Sequence, residues 1–315
     1  MAKRRINRYA RRRARSERRS KAPAIILCVV LFVLLSLVAS VAIGIALGNK
    51  ADEINNKPQY QFDRVEYQSG QKTVRSVEAY FFPKGTSAAD YASQEISDFS
   101  FEIRAKDGTL DYALSVGEEF GFDAMDSAVA LADVVRDIHN EGGYACGYFY
   151  VTSFECQDAT LREVYKSYEI ALIEEASRCG VDDILLMGLD VNASNIDEVE
   201  QFVARASVAA KTSAIGVMLT EQTLTLADNE VYFAARIKNA CDYLALDLTH
   251  VAYQDSLPKD ENGQAVKSQL EATVDKLQYY MDTYKIRVVF GRGRSNLYRE
   301  ALEIGIVDMQ VIDKQ

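Results

Sequence analysis

Hydrophobic and polar positions follow three different patterns along this chain of 315 residues. Residues 22–48, APAIILCVVLFVLLSLVASVAIGIALG, carry no charge. At about 1.5 Å per residue a helix of that length reaches roughly 40 Å, enough to cross a bilayer with some tilt. Residues 49–73 are polar, contain Asn55-Asn56 and Gly70, and predict a stalk with a short extended piece at Tyr60–Tyr67. From residue 74 onward, short apolar runs take turns with stretches in which apolar residues recur every three or four positions. That is the signature of buried strands alternating with amphipathic helices.

The clearest unit is 174–192, EEASRCGVDDILLMGLDVN. A helix ends at Gly180, a residue suited to the left-handed position after a last turn. Ile184–Leu189 then reads as a strand buried on both faces, with Asp190 and Asn192 at its exit. The same unit recurs. Strands are predicted at Val77–Phe82, Phe99–Arg104, Tyr144–Val151, Ile184–Leu189, Ala214–Leu219, Tyr243–Leu248, Ile286–Phe290 and Val307–Ile312. Helices are predicted at Ser127–Glu141, Leu161–Cys179 (capped by Thr160 with Glu163 three residues on), Asn195–Lys211, Val231–Ala240, Lys267–Tyr284 and Asn296–Ile304. Eight strands with helices between most of them predict an α/β fold, a (β/α)8 TIM-like barrel over 74–315 that lacks its last helix. A doubly wound open sheet is the alternative. No GxGxxG or GxxxxGK[ST] follows any strand, so no nucleotide cofactor is expected.

Charge divides the chain. Eleven of the first 21 residues are Lys or Arg against one Glu, so this arm carries +10 and the formal −10 of the whole leaves −20 beyond it. A basic arm beside an uncharged span reads as a cytoplasmic flank, with the lipid bilayer as partner of residues 22–48 and the rest outside the cell. A signal peptide core is only about 7–15 residues, which favours an uncleaved anchor. The acidic remainder argues against nucleic acid as a partner. Cys146, Cys156, Cys179 and Cys241 show no CxxC spacing and no neighbouring His, so no metal site is expected, and they read as buried free thiols.

Candidate chemistry belongs at the strand exits. On strand two, Ser100, Glu102 and Arg104 share one face and Phe99, Phe101 and Ile103 the other, which puts the polar set inside the barrel and predicts a Glu102–Arg104 ion pair. Asp190, Asp247, Glu221, Glu155, His250, Arg292 and Arg294 lie near other exits. His250, with no Cys or acid at ligand spacing, reads more simply as a loop hydrogen-bonding residue.

The segment ISDFSFEIRAKDGTLDYAL resembles the second-strand motif of an uncharacterised bacterial family of glycoside-hydrolase-like TIM barrels, with Glu102, Arg104, Asp107-Gly108 and Tyr112 in the motif's places. Residues 174–192 are similar to the fourth-strand motif at Gly180, Val181, Asp183 and Ile184. The family's strand acid, however, falls on Met187, its aromatic on Gly188 and its Arg on Asp190. In 241–253, CDYLALDLTHVAY, Asp242-Tyr243 and Tyr253 persist. The resemblance implies a barrel that binds a cell-surface glycan or an envelope protein, with Glu102 and Arg104 in the motif's places. Together with the strand-exit positions this leaves Glu102 and Asp190 as candidate catalytic acids and Arg104, Asp247, His250 and Arg292 as candidate ligand contacts. With Met187 in place of an acid, the resemblance also implies impaired catalysis. Two rival readings stand beside it. One is an active glycosidase on an envelope polysaccharide, pairing Glu102 with Asp190, Asp247 or Glu221. The other is an assembly domain with an apolar seam beside strands eight and one.

Overall fold

The computed structural model describes residues 65–70, 72–94, 96–120, 122–228, 231–254, 257, 266–292 and 295–313. The basic arm, the uncharged span 22–48, most of the predicted stalk and Arg294 lie outside the described residues. No helix among the described residues is long and apolar enough to cross a membrane.

Eight parallel strands close into a barrel: β1 (Glu78–Phe81), β2 (Asp98–Arg104), β3 (Tyr144–Tyr150), β4 (Asp183–Met187), β5 (Ala214–Leu219), β6 (Tyr243–Asp247), β7 (Arg287–Gly291) and β8 (Met309–Ile312). They follow one another round the barrel in chain order, and closure comes from Glu78 and Ala79 of β1 pairing with Met309 and Gln310 of β8. An open doubly wound sheet is thereby excluded. The helices are α1 (Ser115–Phe120), α2 (Leu131–Asn140), α3 (Ala159–Arg178), α4 (Ile196–Ala209), α5 (Glu221–Thr225), α6 (Phe233–Ala240), α7 (Gln269–Tyr284) and α8 (Ser295–Glu303).

Local chemistry explains the boundaries. Helix α3 starts two residues before the predicted position because Asp158, not Thr160, is the cap, accepting from the amides of Thr160 at 2.8 Å and Leu161 at 3.0 Å. A carboxylate there satisfies two orphan donors and complements the helix dipole. Helix α3 ends at Gly180, whose φ of +93° is the left-handed turn its residue type allows. The helix predicted from Ser127 begins at Leu131, so Val129 precedes α2 and is exposed.

Outward-facing residues such as Phe99, Phe101, Ile103, Ile184 and Leu186 pack beneath the helices in one large core. Inside the barrel a second apolar layer, Tyr148, Leu185, Met187, Ala245, Val289 and Ile312, fills the lumen toward the strand exits. Below it lies a polar plug. The guanidinium of Arg287, fully buried, meets the equally buried Asp183 at 2.9 Å and Asp308 at 2.9 Å. It also donates to the Tyr243 hydroxyl at 3.1 Å and to the Arg75 carbonyl at 3.1 Å. Gln310 extends the network to Ser100 at 3.0 Å.

The described part of the predicted stalk packs against the barrel. Lys72 donates to the carbonyls of Ser207 at 2.6 Å and Ser213 at 2.8 Å, and the Tyr67 hydroxyl bonds to Asp242. These partners precede β5 and β6, so residues 65–70 and 72–75 cover the end of the barrel away from the strand exits. Among the described residues no disulfide forms: Cys146 and Cys241 are buried, whereas Cys156, in the loop after β3, and Cys179, at the end of α3, are only partly so. Beside β8 and β1 the rings of Tyr80 and Tyr298 stand 5.1 Å apart and line, with Tyr91, Ile96 and Val311, a cavity of about 450 Å³.

Removing one member of a buried pair leaves the other charge stranded. Arg287→Met is therefore expected to cost about 3–5 kcal/mol in urea unfolding at pH 7. Adding Asp183→Asn should recover part of that loss, since it removes the stranded charge. Strictly additive losses would mean that the two charges do not support each other.

Candidate active site at the barrel mouth

Strand β2 delivers Glu102 to the mouth, but not beside Arg104. The pairing of β2 with β3 slips between Glu102 and Arg104, a bulge that breaks the strict alternation of faces. Arg104 consequently turns out of the lumen, over the Phe149 ring. Its guanidinium meets Asp123 at 2.6 and 3.1 Å, Glu169 of α3 at 3.0 Å, Thr152 at 3.1 Å and the Tyr150 carbonyl at 2.6 Å. Glu169, fully buried, also accepts from the amides of Thr152 at 2.7 Å and Ser153 at 3.1 Å. The expected Glu102–Arg104 ion pair does not form, because two acids behind the strand satisfy the arginine instead. Arg104 is buried behind the site and does not reach the cavities at the mouth.

Glu102 is left half-buried on the wall of a cavity of about 710 Å³ at the exits of β1, β2, β3, β4, β7 and β8. Phe81, Tyr112, Tyr148, Tyr150 and Met187 supply its apolar surface, and Lys84, Asp111, Asp126, Arg292 and Asp313 its charge. Among the described residues Glu102 has no ion pair. Burial, reinforced by the charge of Asp111, raises its carboxyl from the ordinary 4.5 to about 7, with Lys84 the main opposing influence. The neighbouring acids are held differently. Asp111 meets Lys84 at 2.8 Å and Asp126 meets it at 2.7 Å. Burial pushes Asp111 up, and the Lys84 ammonium pulls it back. Asp313 meets Arg292 at 3.1 Å, and Arg292 lies 4.7 Å from the centre of the Phe81 ring. The Tyr148 hydroxyl accepts from the Asp313 amide at 3.2 Å, and burial, with Glu102's charge next, keeps it protonated.

The other sequence candidates lie elsewhere. Asp190 and Asp247 line a second cavity of about 480 Å³ at the exits of β4, β5 and β6, together with Glu155. Asp247 accepts from the Thr249 amide at 2.9 Å and hydroxyl at 2.6 Å. His250 is exposed, 3.7 Å from Glu221, and borders neither cavity. Arg292 does reach the first cavity. Sequence reasoning missed Lys84, Asp111 and Asp313 altogether. Asp313 directly follows a predicted strand and Lys84 lies two residues past one, so the strand-exit rule alone would have found them. Among the described residues no three His, Cys, Asp or Glu side chains gather as a metal site.

No family model matches the chain, and no curated protein matches it. Solved structures do. A chitinase from Chromobacterium violaceum is 14% identical, with a TM-score of 0.41 over 69% of this chain and 68% of its own. A variant of the glycoside hydrolase domain of PelA from Pseudomonas aeruginosa is 11% identical, with a TM-score of 0.40 over 69% of this chain and 94% of its own. A sugar phosphate isomerase/epimerase from Parabacteroides distasonis is 12% identical, with a TM-score of 0.40 over 78% of this chain and 91% of its own. Likeness this distant identifies no chemistry, and function must be argued from the residues of this chain.

The state of Glu102 has a measurable consequence. Below pH 4.5 the group is protonated whether the chain is folded or not. Between about 4.5 and 7 the unfolded chain loses the proton and the folded one keeps it, so the fold loses stability as pH rises through that window. Glu102→Gln removes this penalty. It is expected to raise the Tm by about 2–4 °C at pH 8 and to leave it unchanged at pH 4, checked by scanning calorimetry at both values. Equal effects at the two values would show that Glu102 titrates normally.

Proposed function

We propose that the barrel takes a glycan at its mouth and that Glu102 is the proton donor of a glycoside hydrolase. One observation carries this: a carboxyl with no ion pair that keeps its proton near pH 7, set in a cavity where Lys84 holds Asp111 and Asp126, Arg292 holds Asp313 and the Thr109 amide holds Asp107. Glycoside cleavage requires a carboxylic acid that can donate a proton and a second carboxyl group at the same bond. Protonated Glu102 would donate to the glycosidic oxygen as the bond to the anomeric carbon breaks. Asp313 or Asp111 would be the second carboxylate: it would support the positive charge that develops there and take a proton from the water whose oxygen bonds to the anomeric carbon. The aromatic lining, Phe81, Tyr112, Tyr148 and Tyr150, suits the apolar faces of pyranose rings. In this reading residues 22–48 anchor the chain in the membrane, the barrel lies outside the cell, and the substrate is an envelope polysaccharide.

A second reading, binding without turnover, is favoured by Met187. Its thioether lines the same cavity and can act neither as acid nor as base near neutral pH. The proton donor would then survive only as a hydrogen-bond donor to a sugar hydroxyl.

Reducing-end release from a panel of exopolysaccharides and amino-sugar polymers separates the two. Hydrolysis is expected to fall on the alkaline side with a midpoint near pH 7, where Glu102 loses its proton. Glu102→Gln should reduce it by about 10²–10⁴-fold, the usual contribution of a general acid. Glycan binding with no hydrolysis at any pH would replace the first reading by the second. Hydrolysis that survives Glu102→Gln undiminished would remove Glu102 from the mechanism.

A further inference from the structure

The cavity that holds Glu102 and the cavity that holds Asp190 share two wall residues, Lys106 and Tyr150. Tyr150 is the last residue of β3, on the inward face. Its backbone is fixed, because its carbonyl accepts from Arg104 at 2.6 Å. Its ring is fixed too. It lies on Gly188, the residue after β4, so closely that a Cβ there would stand 2.6 and 2.7 Å from two ring carbons. No other residue type lets the ring settle at that place, and the φ of +79° at Gly188 is likewise one that glycine adopts freely. The result is an aromatic ring, half-exposed, set between two cavities that meet at it. Beyond the ring the wall is rich in hydrogen-bonding groups: Asn192, Thr220, Gln222 and the carboxylates of Asp190 and Asp247.

We propose that the two cavities form one groove, with Tyr150 as a stacking platform at its middle, and that the ligand is an oligosaccharide whose successive pyranose rings occupy both sides. A sugar ring presents C–H groups on its face and hydroxyls at its edge. The ring of Tyr150 matches the face, and the polar walls match the edge. The proposal rests on the glycan-binding reading of the Glu102 cavity and adds to it a second subsite and a minimum substrate length: the chain is bound along its interior. Lys106, on the wall common to both cavities, is placed to donate to hydroxyls on either side.

The test is calorimetric titration of the full-length protein in detergent with oligomers of two to six units, in three β-1,4-linked series: glucose, glucosamine and N-acetylglucosamine. In at least one series the affinity is expected to rise about tenfold or more from dimer to hexamer as the second cavity fills. Tyr150→Ala should abolish that rise, and Tyr150→Phe should keep it, because the ring and not the hydroxyl does the stacking. Gln222→Trp fills the second cavity from an exposed position. It should abolish the rise while the dimer still binds in the Glu102 cavity. Equal affinity for all lengths, or a rise that persists in both Tyr150→Ala and Gln222→Trp, would overturn the groove and leave binding in the Glu102 cavity standing. Failure of the wild-type protein to bind any oligomer in the three series would overturn both.

Discussion

The chemistry available at the barrel mouth depends on which carboxylates capture the Arg104 guanidinium. Arg104 and Glu102 are two residues apart on one strand, and regular alternation would turn both inward as an ion pair. An adjacent arginine would then hold Glu102 ionised, and the site would contain no acid near neutral pH. Asp123 and Glu169 prevent this by offering Arg104 a complete set of partners on the far side of the strand. The bulge in β2 is the backbone's accommodation of that choice. Glu102 is left among Asp111, Asp313 and aromatic rings, and its proton is retained by burial. The same arginine holds the backbone of Tyr150, so one side chain outside the lumen sets both the charge and the shape of the cavity within.

The opposite end of the barrel uses charge for another purpose. Arg287 and Asp183 lie fully buried beneath the apolar layer as a pair; Arg287 also donates to Tyr243, Gln310, Asp308 and the Arg75 carbonyl, and Asp183 also accepts from the Tyr243 hydroxyl. A satisfied network of this kind adds little net stability over an apolar plug, but it is unforgiving of a missing member. Residues 65–70 and 72–75 close that end from outside through Tyr67 and Lys72. Polar chemistry at the two ends is separated by the layer of Tyr148, Leu185, Ala245, Val289 and Ile312, so the lower plug and the upper cavity are distinct environments.

Much of the architecture was legible in the sequence because parallel strands buried on both faces leave apolar runs that few other elements produce. All eight predicted strands are present, Ala214–Leu219 with identical ends. Boundaries were less legible where two polar residues competed for one role, as with Asp158 and Thr160 at the start of α3. The short helices α1 and α5 carry too few turns to set up a helical period. The site was half legible. Parity put Glu102 in the lumen, but it also put Arg104 there, because alternation holds only where the ladder is regular and nothing local in EIRAKDG announces the bulge. The acids that capture Arg104 lie 19 and 65 residues further along the chain, beyond the reach of any local pattern. Asp190, three residues past Met187 at the exit of the same strand, was a candidate partner of Glu102, but the loop after β4 places it on the far side of Tyr150.

Glu102 holds a proton near neutral pH because it is buried and Arg104 is engaged elsewhere. The direct measurement is the carboxyl carbon shift of Glu102, followed by NMR across pH in protein labelled at glutamate side-chain carboxyls and assigned by comparison with Glu102→Gln. A midpoint near 7 is expected in the wild-type protein. A midpoint near the ordinary 4.5 would mean that burial and the charge of Asp111 do not hold the proton there, and would contradict it.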